Sequence, residues 1–81
     1  MTWAIVHGED SWADLERLTP DERTAIDDVL VGWVTNGPAR DRTRPLAGLT
    51  LFEHHVADRI ALTYIIDDQQ DLVGILRIRR I

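Results

Sequence analysis

The stretch from Leu46 to Arg80, LAGLTLFEHHVADRIALTYIIDDQQDLVGILRIRR, constrains the fold more than any other part of the chain. It reads as three strands, over about 49–57, 59–67 and 72–80, joined by polar turns at Ala57-Asp58 and at Asp67 to Asp71. Side chains two apart on a strand leave the same face of a sheet. Glu53, His55, Arg59, Arg77 and Arg79 are therefore expected on one surface, with Phe52, Ile60, Leu62, Tyr64 and Ile78 on the other. A sheet face that gathers arginine and histidine is suited to an anion.

The segments ahead of this meander complete the fold. Residues 2–7, TWAIVH, alternate as a short opening strand, broken by Gly8-Glu9-Asp10. Asp10 or Ser11 is placed to cap a first helix in which Trp12, Leu15 and Leu18 share a side. Thr19-Pro20-Asp21-Glu22 is a capping box with proline at the first helical position, opening a second helix. Ile26, Val29, Leu30 and Trp33 follow as its core stripe, and Asn36-Gly37-Pro38 ends it. Trp3, Trp12 and Trp33 all fall at core-facing positions. Residues 39–45, ARDRTRP, read as an arginine-rich connection. The expected architecture is a single α+β domain over 1–81: a strand, a two-helix hairpin, then a three-stranded antiparallel meander. The helices lie on one face of a four-stranded sheet, and the other face is open.

Composition narrows the chemistry. With 81 residues, the chain buries only about 60% of the surface its unfolded form exposes, so a partner that covers more surface would stabilise it. Cysteine is absent, which excludes disulfides and thiolate metal sites, and the three histidines lack ligand spacing; no metal or cofactor is expected. No stretch approaches a membrane span or a leader, so a cytoplasmic protein is expected. The net charge of −5 is unevenly spread: residues 1–36 hold eight acids and two arginines, residues 37–81 seven arginines and six acids. The acids form a solvated helical face or one that attracts a basic segment, while the second half can dock an anion on one side.

Order and spacing together resemble the RelE/ParE superfamily of toxins from bacterial type II toxin–antitoxin modules. The resemblance spans nearly the whole chain: L-x-x-L-x-P at Leu15, Leu18 and Pro20, the helix end at Asn36-Gly37-Pro38, and P-L-A-G-L at Pro45 to Leu49. It continues through L-F-E-H-H-V at Leu51 to Val56, R-I-A-L-T-Y at Arg59 to Tyr64, and the closing I-L-R-I-R-R. It implies an antitoxin partner. It further implies endonucleolytic cutting of messenger RNA on the ribosome, as in RelE-like members, with inhibition of DNA gyrase, as in ParE-like ones, or a member that has lost cleavage and only binds its antitoxin as the alternative.

Carried over residue by residue, the resemblance matches Glu53 to an acidic position and Tyr64 to a tyrosine, and Arg79 with Arg80 to a basic pair. His55 stands where an arginine is usual, Ala61 where the third-strand arginine is usual, and the sequence closes at Ile81 without a further tyrosine or histidine. RNA cleavage needs activation of a 2′-hydroxyl, stabilisation of charge on phosphorus and protonation of the leaving oxygen. Imidazole changes charge near neutral pH, and guanidinium groups grip phosphate, so His55, Arg59, Arg77 and Arg79 are the expected catalytic set. Glu53, Arg80, Arg42 and Arg44 are expected to contact substrate. The plainer alternatives are a solvated pair for Glu53 and His55, edge protection for Arg77 and Arg79, and a solvated linker for Arg42 and Arg44.

Overall fold

The computed structural model describes residues 2–81. The elements run β1 (Ala4–His7), α1 (Glu9–Glu16), α2 (Pro20–Asn36), β2 (Arg42–Leu46), β3 (Leu49–Val56), β4 (Ile60–Asp67) and β5 (Leu72–Arg80). The sheet has five strands in the order β1-β5-β4-β3-β2, with β1 parallel to β5 and the other neighbours antiparallel. The expected α+β class and one-sided helix packing hold, whereas the strand count does not. The arginine-rich connection is itself the edge strand β2, which pairs with β3 from Arg42↔Glu53 to Leu46↔Leu49. Pro45 has no N–H to offer a ladder, which suits a sheet edge.

The helices lie over one face. Leu18, Ile26, Leu30 and Trp33 meet Val56, Ile60, Leu62, Tyr64, Val73, Ile75 and Ile78 in a continuous core. Tyr64 is fully buried, and its hydroxyl donates to the Ala39 carbonyl at 2.5 Å, which ties the α2–β2 connection to the sheet. Burial pushes the phenol pKa up.

The capping box of α2 forms as expected. The Glu22 amide donates to the Thr19 hydroxyl at 3.2 Å, and the Thr19 amide donates to the Glu22 carboxylate at 2.8 Å. Gly37 (φ 86°) closes the helix, and a Cβ there would meet the Trp3 indole nitrogen at 3.1 Å, so both backbone and packing require glycine.

Helix α1 starts differently. Gly8 is the N-cap, and Ser11 is buried inside the helix with its hydroxyl 2.8 Å from His7 Nδ1. The His7 ring packs on Trp12 with centroids 4.6 Å apart, a staple between the residue before the cap and the fourth helical residue. Trp12 is consequently 57% exposed and does not join Trp33 in the core.

Strand β5 contains a bulge. Thr63 pairs with Arg77 but Tyr64 with Ile75, so Leu76 is the extra residue. The bulge lets Ile75 and Ile78, three apart in sequence, both reach the core, while Arg77 and Arg79 turn to the opposite face. It falls where β1 ends, since His7↔Ile75 is the last parallel pair.

Candidate functional site

The uncovered face is built from cross-strand rows, because residues directly paired in antiparallel strands project to the same side. One row runs Arg42–Glu53–Thr63–Arg77 across β2, β3, β4 and β5. The next runs His55–Ala61–Arg79. On the other side of the first row Arg44 pairs with Leu51, which is 6% exposed although it faces away from the helices. Arg42, Arg44, Leu51 and Glu53 line a recess of about 110 Å³ there. His55 Nε2 lies 2.9 Å from Glu53 Oε2, two residues away on the same strand.

The arginines expected to act together divide into two groups. Arg77 is held by Asp14 of α1, donating from Nε at 2.9 Å and from Nη2 at 3.1 Å. The same carboxylate accepts the Ile78 amide at 2.9 Å, so Asp14 takes the backbone bond that β1 would have supplied had it continued. The Arg77 hydrogen bonds hold the Asp14 carboxyl below the usual carboxylate range, against the opposing effect of burial. Arg80 is held by Glu22, donating at 2.9 and 2.6 Å, and also donates to the Arg17 carbonyl at 3.1 Å. That pairing, with the cap bond to Thr19, lowers the Glu22 pKa to about 2. Arg77 and Arg80 therefore bind α1 and α2 to β5.

Arg44, Arg59 and Arg79 have no carboxylate within ion-pair reach among the described residues, while Arg42 pairs with its exposed neighbour Asp41 at 3.3 Å. Arg59 is separated from the His55 row. It sits after the β3–β4 turn, where Ala57 (φ 52°) and Asp58 (φ 54°) reverse the chain, and it lines a recess of about 360 Å³ with Thr19, Glu22, Val56, Ile60 and Arg80. His54 points to the helix side and packs edge-on against Trp33 at 5.5 Å. His7 is tied to Ser11 at the start of α1.

Of the expected set, the open face brings together His55, Glu53, Arg79, Arg42 and Arg44. Arg59 is removed to the sheet end, and Arg77 and Arg80 are neutralised. Sequence reasoning missed Asp14, whose partners lie 63 and 64 residues away. Beside the Leu15 and Leu18 stripe it looks like one more solvated acid.

At the level of sequence, no family model and no curated protein matches the chain. Solved structures do match. The RelBE2 toxin–antitoxin complex of Mycobacterium tuberculosis contains a chain that superposes with TM-score 0.74 at 25% identity, covering 100% of both chains. The RelE–RelB complex of Pyrococcus horikoshii gives TM-score 0.80 at 14% identity over 99% of this chain and 96% of that one. Isolated Escherichia coli RelE gives 0.78 at 12% over 96% and 83%. The chain therefore has the fold of the RelE toxin chains in these structures.

Proposed function

We propose that this chain is the toxin of a type II toxin–antitoxin pair, held inactive by a cognate antitoxin, and that the free toxin cuts messenger RNA on the ribosome. The observation that carries the nuclease reading is the row His55–Ala61–Arg79: an imidazole and an unpaired guanidinium flank one methyl group on an uncovered sheet face. In this reading the ribose and scissile phosphate lie over Ala61. His55 takes the 2′-hydroxyl proton, and Arg79 binds the phosphate oxygens as charge builds on phosphorus. Arg42 and Arg44, farther across the sheet opposite Glu53 and Leu51, contact the RNA backbone. Structural neighbours that are complexes of RelE with RelB support an antitoxin as the partner. The site is cytoplasmic in this reading, and among the described residues no helix is long and apolar enough to cross a membrane.

A second reading has its own observation. Arg77 and Arg80 are committed to Asp14 and Glu22, and Ala61 supplies no charge, so the cationic face is sparse. That favours a non-cleaving member, either a ParE-like gyrase inhibitor or a protein that only binds its antitoxin. The two separate in one comparison. Purified protein is added to a translation reaction, with message cleavage read by primer extension, and to a gyrase supercoiling reaction in parallel. Ribosome-dependent cuts with normal supercoiling support the nuclease; intact message with blocked supercoiling selects the gyrase reading.

A further inference from the structure

We propose that Glu53 is the positioning residue for His55: it fixes the ring in the tautomer protonated at Nε2 and leaves the Nδ1 lone pair as the proton acceptor of the open face. This rests on the nuclease reading for its catalytic meaning, but the geometry stands independently of it. A carboxylate only accepts hydrogen bonds, so the 2.9 Å contact between Glu53 Oε2 and His55 Nε2 requires the proton on Nε2. The remaining nitrogen then carries the lone pair.

The surroundings isolate the pair. The charged groups in the Glu53 row are Arg42 and Arg77, and both guanidinium groups are taken, by Asp41 at 3.3 Å and by Asp14 at 2.9 Å. Glu53 therefore has the imidazole as its side-chain partner among the described residues. Across β4 from His55 stands Ala61, which cannot hydrogen-bond to Nδ1 through its side chain, and beyond it Arg79. The helix group that reaches this row is Asp14 of α1, which is taken up by Arg77 and the Ile78 amide on β5, and neither Glu53 nor His55 bonds to a helix residue among the described residues. Both members stay wet enough to meet a ligand, with side chains 25% (His55) and 40% (Glu53) exposed.

The step balances without a co-reactant beyond water. The O2′–H bond breaks as the proton moves to His55 Nδ1, O2′ bonds to phosphorus, the P–O5′ bond breaks, the departing 5′-oxygen takes a proton from water, and the hydroxide so formed takes the proton back from His55 Nδ1, restoring water and the neutral ring. The products are a 2′,3′-cyclic phosphate and a 5′-hydroxyl. Glu53 stabilises the imidazolium that forms, as a carboxylate behind a catalytic histidine does.

The test has two readouts on the full chain. Ring-¹⁵N histidine labelling gives the tautomer of each imidazole, with the His55 signals assigned by their loss in His55→Asn. The expected result is an Nε2–H ring in the wild type that becomes a tautomer mixture in Glu53→Ala. Single-turnover cutting of a ribosome-bound message by Glu53→Gln and Glu53→Ala is expected to slow about 100-fold with message affinity nearly unchanged. An Nδ1–H ring in the wild type, an unchanged ring in Glu53→Ala, or wild-type cutting by both variants overturns the proposal. Wild-type protein that shows the Nε2–H ring, loses it in Glu53→Ala and cuts no message removes the nuclease reading while the Glu53–His55 assignment stands.

Discussion

Asp14 shows how much of this small domain rests on single polar groups. One buried carboxylate accepts from Arg77 twice and from the Ile78 amide once. Asp14→Ala leaves the buried amide unpaired, at a cost of about 2 kcal/mol. Urea unfolding followed by circular dichroism is expected to show an earlier midpoint with an unchanged slope. The same residue sets an acid limb. Its folded pKa lies below the ordinary value of 3.8, so its contribution is complete above that pH and is lost as pH falls below it. Tyr64→Phe, which removes only the hydroxyl bonded to Ala39, is expected to cost about 1 kcal/mol in the same measurement. None of these partnerships was legible in the sequence, because each joins groups 25 to 64 residues apart and nothing local marks Asp14 or the Ala39 carbonyl as a partner.

Legibility at the scale of elements follows burial. β3, β4 and β5 were readable because their alternation matches a half-covered sheet and their turns carry residues suited to reversal. α2 was readable from its capping box and core stripe. β2 was not: all five of its residues are exposed, so no apolar period marks it, and Pro45 argues against a strand. The β5 bulge was hidden too, although the unequal spacing of Val73, Ile75 and Ile78 is its signature. Because Leu76 is the extra residue, its deletion is expected to leave Ile75 and Ile78 facing the core and Arg77 and Arg79 facing away in a regular ladder, seen as a retained cooperative thermal transition. Glu22 links two elements, capping α2 while gripping Arg80. Its pKa is lowered to about 2 from 4.5, so the stabilisation is present above about pH 4.5 and disappears as pH falls toward 2. Glu22→Gln is expected to flatten that part of an acid-unfolding profile.

For the whole molecule, the charge division seen in sequence acquires a geometry. The acid-rich helices cover one side of the sheet, and the other side holds the cations that the helices have not claimed. Of the residues expected on one face, Glu53, His55 and Arg79 lie on the open side, whereas Arg77 is bound to Asp14 and Arg59 lies at the sheet end. The proposed working surface is the His55–Ala61–Arg79 row with Glu53 behind it. The most direct test is the rate of ribosome-dependent message cutting by three single variants, each checked for an unchanged thermal transition. His55→Ala and Arg79→Ala are expected to fall about 100-fold or more, and Arg59→Ala to stay within a few-fold of the wild type. Full activity in Arg79→Ala together with inactivity in Arg59→Ala would contradict the account and move the site to the recess at the start of α2.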